Sequence, residues 1–156
     1  MSDGLITFLA SFLIWVILFG IIMLWLVDGR IKKEVALHAI FASLLAWILA
    51  EMVKSLVPSM RPFDQNGLTP LTLTVPIGSA FPSGHTAAAI AIAVSIFLHK
   101  KGLGLAFLIG GVGVGIGRFL SNVHFPLDIL GGAVVGILCA ITVQKIHVFR
   151  IISNRK

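Results

Sequence analysis

From Leu5 to Val27 the chain runs for 23 residues without a charged side chain. A helix rises about 1.5 Å per residue, and about 20 apolar residues cross a bilayer core. This run is therefore long enough to span a membrane, and that constrains everything after it. It is longer than the apolar region of a typical secretory signal, and the first charge is Asp3 rather than Lys or Arg. It reads as a retained transmembrane helix. The rest of the chain agrees: apolar residues make up 58% and charged residues 12%, where a soluble domain carries about 25% charged. Mean hydropathy is +1.06.

Four further apolar segments follow, at about Val35–Val57, Pro82–Leu98, Leu103–Leu120 and Pro126–Val148. The expected fold is all-α, a bundle of about five transmembrane helices forming one domain over residues 1–156. A long connection, Pro58–Phe81, separates spans two and three. Five spans put the termini on opposite sides. Arg30, Lys32, Lys33, Lys100, Lys101, Lys145, Arg150, Arg155 and Lys156 then fall on one side, and only Lys54, Arg61 and Arg118 on the other. Cytoplasmic loops carry the excess of Lys and Arg. The C-terminus is expected to be cytoplasmic, and the N-terminus and the three isolated cations extracytoplasmic. The net charge of +6 is thus accounted for by topology. It forms no single patch for nucleic acid, and no nucleic-acid partner is expected.

Some features read as structural. Cys139 is the single cysteine and lies in an apolar run, so it packs as a small hydrophobe. Gly111/Gly115, Gly113/Gly117 and Gly132/Gly136 are spaced as small-residue faces for close helix packing. No Gly-Lys-Ser/Thr ending marks a nucleotide loop. His38, His99 and His147 fall toward the cytoplasmic side and read as interfacial. Glu51 is one turn before Lys54, so an ion pair is expected. Asp64, Gln65, Asn66 and Gly67 read as a turn. The alternation over Leu68–Ile77 suggests an extended or re-entrant segment, either a lid on the helices or a wall of the lipid entrance.

Ionisable groups inside membrane spans are costly and point to function. Glu51, Lys54, Arg61, His85, Arg118, His124 and Asp128 all map to the outer ends of spans two to five. Three convergent cations suit a phosphate group. Two histidines suit a nucleophile and a general acid. Lys54 and Arg61-Pro62 form K-x6-R-P, residues 82–85 form P-S-G-H, and Arg118, His124 and Asp128 form R-x5-H-x3-D. In this order, over about Lys54–Gly136, the three motifs resemble those of the type 2 phosphatidic acid phosphatase superfamily, the membrane lipid phosphate phosphatases. The third motif departs from the family's usual Ser-Arg by beginning Gly117-Arg118. The family commonly has six spans where five are counted here.

The resemblance implies a mechanism. His124 attacks phosphorus and forms a phosphohistidine. Asp128 holds the His124 ring, and His85 protonates the leaving oxygen. Lys54, Arg61 and Arg118 bind the phosphoryl oxygens, with Ser83 and Gly84 at a helix start that favours an anion. No metal and no cofactor is expected, because Asp128 is committed to His124. The expected partner is a lipid phosphate or pyrophosphate in the bilayer, with undecaprenyl pyrophosphate slightly preferred over phosphatidic acid or phosphatidylglycerol phosphate. A lipid phosphotransferase and a non-catalytic lipid-binding membrane protein are the readings from other classes.

Overall fold

The computed structural model describes residues 1–26 and 33–145. Helix α1 (Asp3–Thr7), a π-helical turn (Phe8–Phe12) and α2 (Leu13–Leu26) follow one another directly. The other helices are α3 (Lys33–Leu56), α4 (Pro62–Asn66), α5 (Gly84–His99), α6 (Lys101–Leu120) and α7 (Pro126–Lys145). There is no strand among the described residues. Asp3–Met23, α3, α6 and α7 are long and apolar enough to cross a membrane, and α5, at 16 residues, is a shorter apolar helix. The fold is all-α, and the chain is a multi-pass membrane protein. Arg30, Lys32, His147, Arg150, Arg155 and Lys156 lie outside the described residues.

Of the apolar segments Asp3–Met23, α3, α5, α6 and α7, the shortest, α5, is the most enclosed. On α5, Ala87, Ala88, Ala89, Ala91, Ala93, Ile92 and Ile96 are buried, and α3, α6 and α7 pack around it. Lipid tails are as apolar as leucine, so helices in a bilayer associate through close fit rather than through escape from water. The sequence supplies that fit with small residues. Ala42, Ala46 and Ala50 of α3 meet Ala87 and Ala91 of α5 in a cluster that includes Cys139 and Ala140 of α7. A Cβ on Gly132 would lie 2.5 Å from the Ser83 carbonyl oxygen, and one on Gly115 2.8 Å from Ile129. These glycines serve packing, as their spacing implies.

Local signals set the helix ends. Pro58 follows closely after α3 and cannot continue it. Pro126 opens α7 at a first-turn position where its missing N–H costs nothing. Pro82 lies one residue ahead of the α5 N-cap, Ser83, rather than inside the helix. The turn expected at residues 64–67 is the end of α4, closed by Gly67 at φ 70°. Residues 68–77 run without regular structure over the same end of the bundle. At the opposite end, His38 is buried, and its Nδ1 lies 3.3 Å from His99 Nε2. His38 is therefore an internal group with a polar partner, as a buried imidazole needs, while His99 is half-buried at this end of the bundle and also bonds the Ser95 carbonyl, at 2.8 Å.

Candidate active site

The α6–α7 loop is held from three directions. Asn122 adopts a left-handed conformation at φ 64°, which a short polar side chain tolerates. Its amide exchanges hydrogen bonds with that of Asn66, at 2.8 and 3.0 Å, and donates to the Leu68 carbonyl. Arg61 reaches the next residue, donating from Nη1 to the Val123 carbonyl at 3.1 Å. Asp128, in the first turn of α7, accepts from the Phe125 backbone N–H at 2.8 Å, as a carboxylate at this position does in a capping box. That bond aims its Oδ2, which stands 3.5 Å from His124 Nδ1. This is pairing distance, longer than a hydrogen bond. His124 is 2% exposed. Burial pushes its pKa down to about 4, with Asp128 opposing the shift and the positive charges of Arg118 and Arg61 adding to it.

Arg118 is brought to the same place by an element whose part the motifs do not reveal. Its Nη1 donates to the Ala10 carbonyl at 3.3 Å, inside the π-helical turn. Gly117 makes the approach possible. A Cβ there would lie 2.5 Å from the Leu9 carbonyl carbon and 2.6 Å from the Ala10 nitrogen. The glycine that replaces the family's usual serine is thus required by the first helix. Arg118 Nε is buried without a hydrogen-bond partner among the described residues.

At the start of α5, Ser83 is fully buried and caps the helix: its Oγ accepts from Thr86 Oγ1 at 3.0 Å and, more weakly, from the Thr86 N–H at 3.5 Å. Its own N–H donates to the Asp128 carbonyl at 2.9 Å, tying α5 to α7. Gly84 and His85 follow, in the first turn, where backbone N–H groups have no partner inside a helix. A Cβ on Gly84 would be 3.2 Å from Glu51 Oε1 and 3.6 Å from Lys54 Nζ, so the end of α3 meets the end of α5 here. Lys54 and Glu51 form the expected pair, Nζ to Oε1 at 2.6 Å.

Arg61 is 2% exposed. Besides Val123, it donates from Nε to the Gly78 carbonyl at 2.9 Å and from Nη2 to the Ser79 carbonyl at 3.0 Å. Three of its five N–H groups thus organise backbone on either side of the site. Burial lowers its pKa, opposed by Asp128, Asp64 and Glu51, but a guanidinium stays charged.

A cavity of about 290 Å³ opens beside these groups, lined by His85, Arg118, Ser11, Trp15, Trp47 and the 73–76 segment. A second, of about 340 Å³, is almost wholly apolar and runs between α2, α3 and α5, past Ile14, Leu18, Ile40 and Leu44. Trp15, Trp47 and His85 line both. Residues 68–77 are a wall as well as a cover: Leu73, Thr74 and Pro76 face the first cavity, while the Leu73 N–H donates to Ser11 Oγ and the Leu71 N–H to the Ser121 carbonyl. The three motifs therefore lie at one end of the bundle. They did not disclose Ala10, Ser11, Trp15 or Trp47. For Trp47 a signal existed, since it lies seven residues before Lys54 and so on the same helix face.

Residues 35–152 match the family described as PAP2 superfamily. A Bacillus licheniformis protein named bacitracin transport permease protein BcrC is 32% identical over 143 residues, covering 92% of this chain and 70% of that protein. Undecaprenyl-diphosphatase BcrC of Bacillus subtilis is 24% identical over 136 residues, 87% of this chain and 70% of that protein. Among solved structures, Aquifex aeolicus LpxE superposes with a TM-score of 0.76 at 29% identity, over 92% of this chain and 85% of that one.

Proposed function

The chain belongs to the PAP2 superfamily, and from that premise we propose that it is a membrane lipid phosphatase working through a phosphohistidine on His124. The observation that carries this is the gathering of two histidines, three cations and one aimed carboxylate at a single end of the bundle, next to an apolar cavity. Burial keeps the His124 imidazole neutral at ordinary pH, as a nucleophile must be. Asp128 faces Nδ1, which leaves Nε2 to attack phosphorus. As the bond to His124 forms, the imidazole becomes cationic, and Asp128 stabilises it. His85 gives a proton to the departing oxygen, then takes one from the water that hydrolyses the phosphohistidine.

Lys54, Arg118 and the first-turn N–H groups of Gly84 and His85 bind the phosphoryl oxygens and stabilise charge in the transition state. The buried Arg118 Nε is a donor in want of an acceptor, and an unsatisfied buried donor is costly; a phosphoryl oxygen would satisfy it. Arg61 contributes its charge and its two remaining N–H groups. Ser83 serves this subsite by fixing the start of α5. We propose hydrolysis without a metal, since the one carboxylate beside His124, Asp128, is committed to its ring.

The substrate we favour is a polyprenyl pyrophosphate, in keeping with the name of the Bacillus subtilis relative. The site would face the extracytoplasmic side. Purified protein in detergent with EDTA should release phosphate from undecaprenyl pyrophosphate faster than from phosphatidic acid or phosphatidylglycerol phosphate. Release restored only by a divalent ion would refute the metal-free mechanism. A faster rate on the phospholipids would refute the substrate assignment.

A further inference from the structure

The two histidines of the site are held differently. His124 has a carboxylate beside it. No hydrogen bond holds the His85 side chain among the described residues, and its one ring contact is with Trp47, centroids 5.2 Å apart and planes tilted by 50°. An imidazole that gives up a proton as general acid has to be both aimed and protonated. The charged and titratable groups around His85 are Lys54 with its partner Glu51 on α3, Arg61 in the connection, Arg118 on α6 and His124 in the α6–α7 loop, with Asp128 of α7 behind it. The three cations repel a proton on His85. An aromatic face does the opposite, because its quadrupole attracts a cation within about 6 Å of the ring centroid. Trp47 also lines both cavities, so its indole stands where the polar pocket gives way to the apolar one.

Building on the phosphatase reading above, we propose that Trp47 is a positioning residue for His85: its ring fixes the imidazole and stabilises the imidazolium that protonates the leaving group. In the first half-reaction the His124–phosphorus bond forms and the phosphorus–oxygen bond to the lipid breaks. The His85 proton passes to that oxygen, leaving neutral His85, phosphohistidine and the released alcohol or lipid phosphate. The demand for this proton depends on the leaving group. An alkoxide needs it far more than a phosphate does.

Farnesyl phosphate and farnesyl pyrophosphate separate the two cases, since they share a hydrocarbon chain and differ in what departs. Trp47→Leu should lower kcat/KM for the monophosphate by about two- to thirtyfold and for the pyrophosphate much less, with Trp47→Phe near wild type on both. Equal losses on both substrates would mean that Trp47 only packs or touches the chain, and would overturn the proposal. So would a Phe variant as poor as Leu. Wild type that hydrolyses neither substrate would count against the phosphatase reading itself. A second readout needs no turnover. With Trp15 and Trp25 replaced by Phe, Trp47 emission should be quenched as His85 protonates, and His85→Gln should abolish that titration. Emission that follows pH identically in the His85→Gln variant overturns the contact.

Discussion

The surroundings of His124 are set within four residues. Pro126 starts α7, the start of α7 places Asp128 in its first turn, and the Phe125 N–H aims the carboxylate at the ring. Burial then decides the protonation state. With a pKa near 4, His124 is neutral over the whole range in which an exposed histidine would titrate. The acid limb of kcat/KM, which reports groups of the free enzyme, should place the His124 ionisation near pH 4; one near 6.5 would show an ordinary, solvated imidazole. The same difference acts on stability. Unfolded His124 binds a proton near pH 6.5 and the native residue only near 4, so stability falls as pH drops through that window. This site was legible because a charge or an imidazole in an apolar helix is expensive and stands out. Trp47 was less so: its spacing from Lys54 puts it on the same helix face, but an indole among leucines looks like any other lipid-facing side chain.

Among the elements, the five long helices were legible to within a few residues, since uncharged runs and prolines mark their limits. The connection was not. Its register depends on contacts distant in sequence: Asn66 with Asn122, Leu73 with Ser11, and Arg61 with Gly78, Ser79 and Val123. The π-helical turn at Phe8–Phe12 was equally hidden, and it brings Ala10 to Arg118. Such turns are frequent at functional sites. Gly117 is the hinge of that arrangement. Gly117→Ser restores the family's usual residue, yet here it should cost about 1–3 kcal/mol through overpacking and lower activity by displacing Arg118. Gly102→Ser, with nothing within 4 Å of its Cβ, should do neither. Thermal unfolding in detergent beside the phosphatase rate checks both; a Gly117→Ser protein as stable and active as wild type would mean the first helix yields freely.

On the scale of the whole molecule, polarity is divided between two ends. Lys33, the Lys100–Lys101 turn and Lys145 lie at one end of the helices, and Lys54, Arg61 and Arg118 lie at the other with the site. The cations at the site end all have a chemical or structural task, which is why charge counting along the sequence already separated them from the rest. If the basic end is cytoplasmic, a reporter fused to the C-terminus should read cytoplasmic, and an external signal would invert the topology. The central claim, however, is that phosphate passes through His124. Rapid quenching of the enzyme with a 32P-labelled lipid pyrophosphate should trap an acid-labile, base-stable phosphoprotein in wild type and none in His124→Ala. Equal labelling of the His124→Ala protein, or hydrolysis by wild type with no such adduct at any time, would contradict the account.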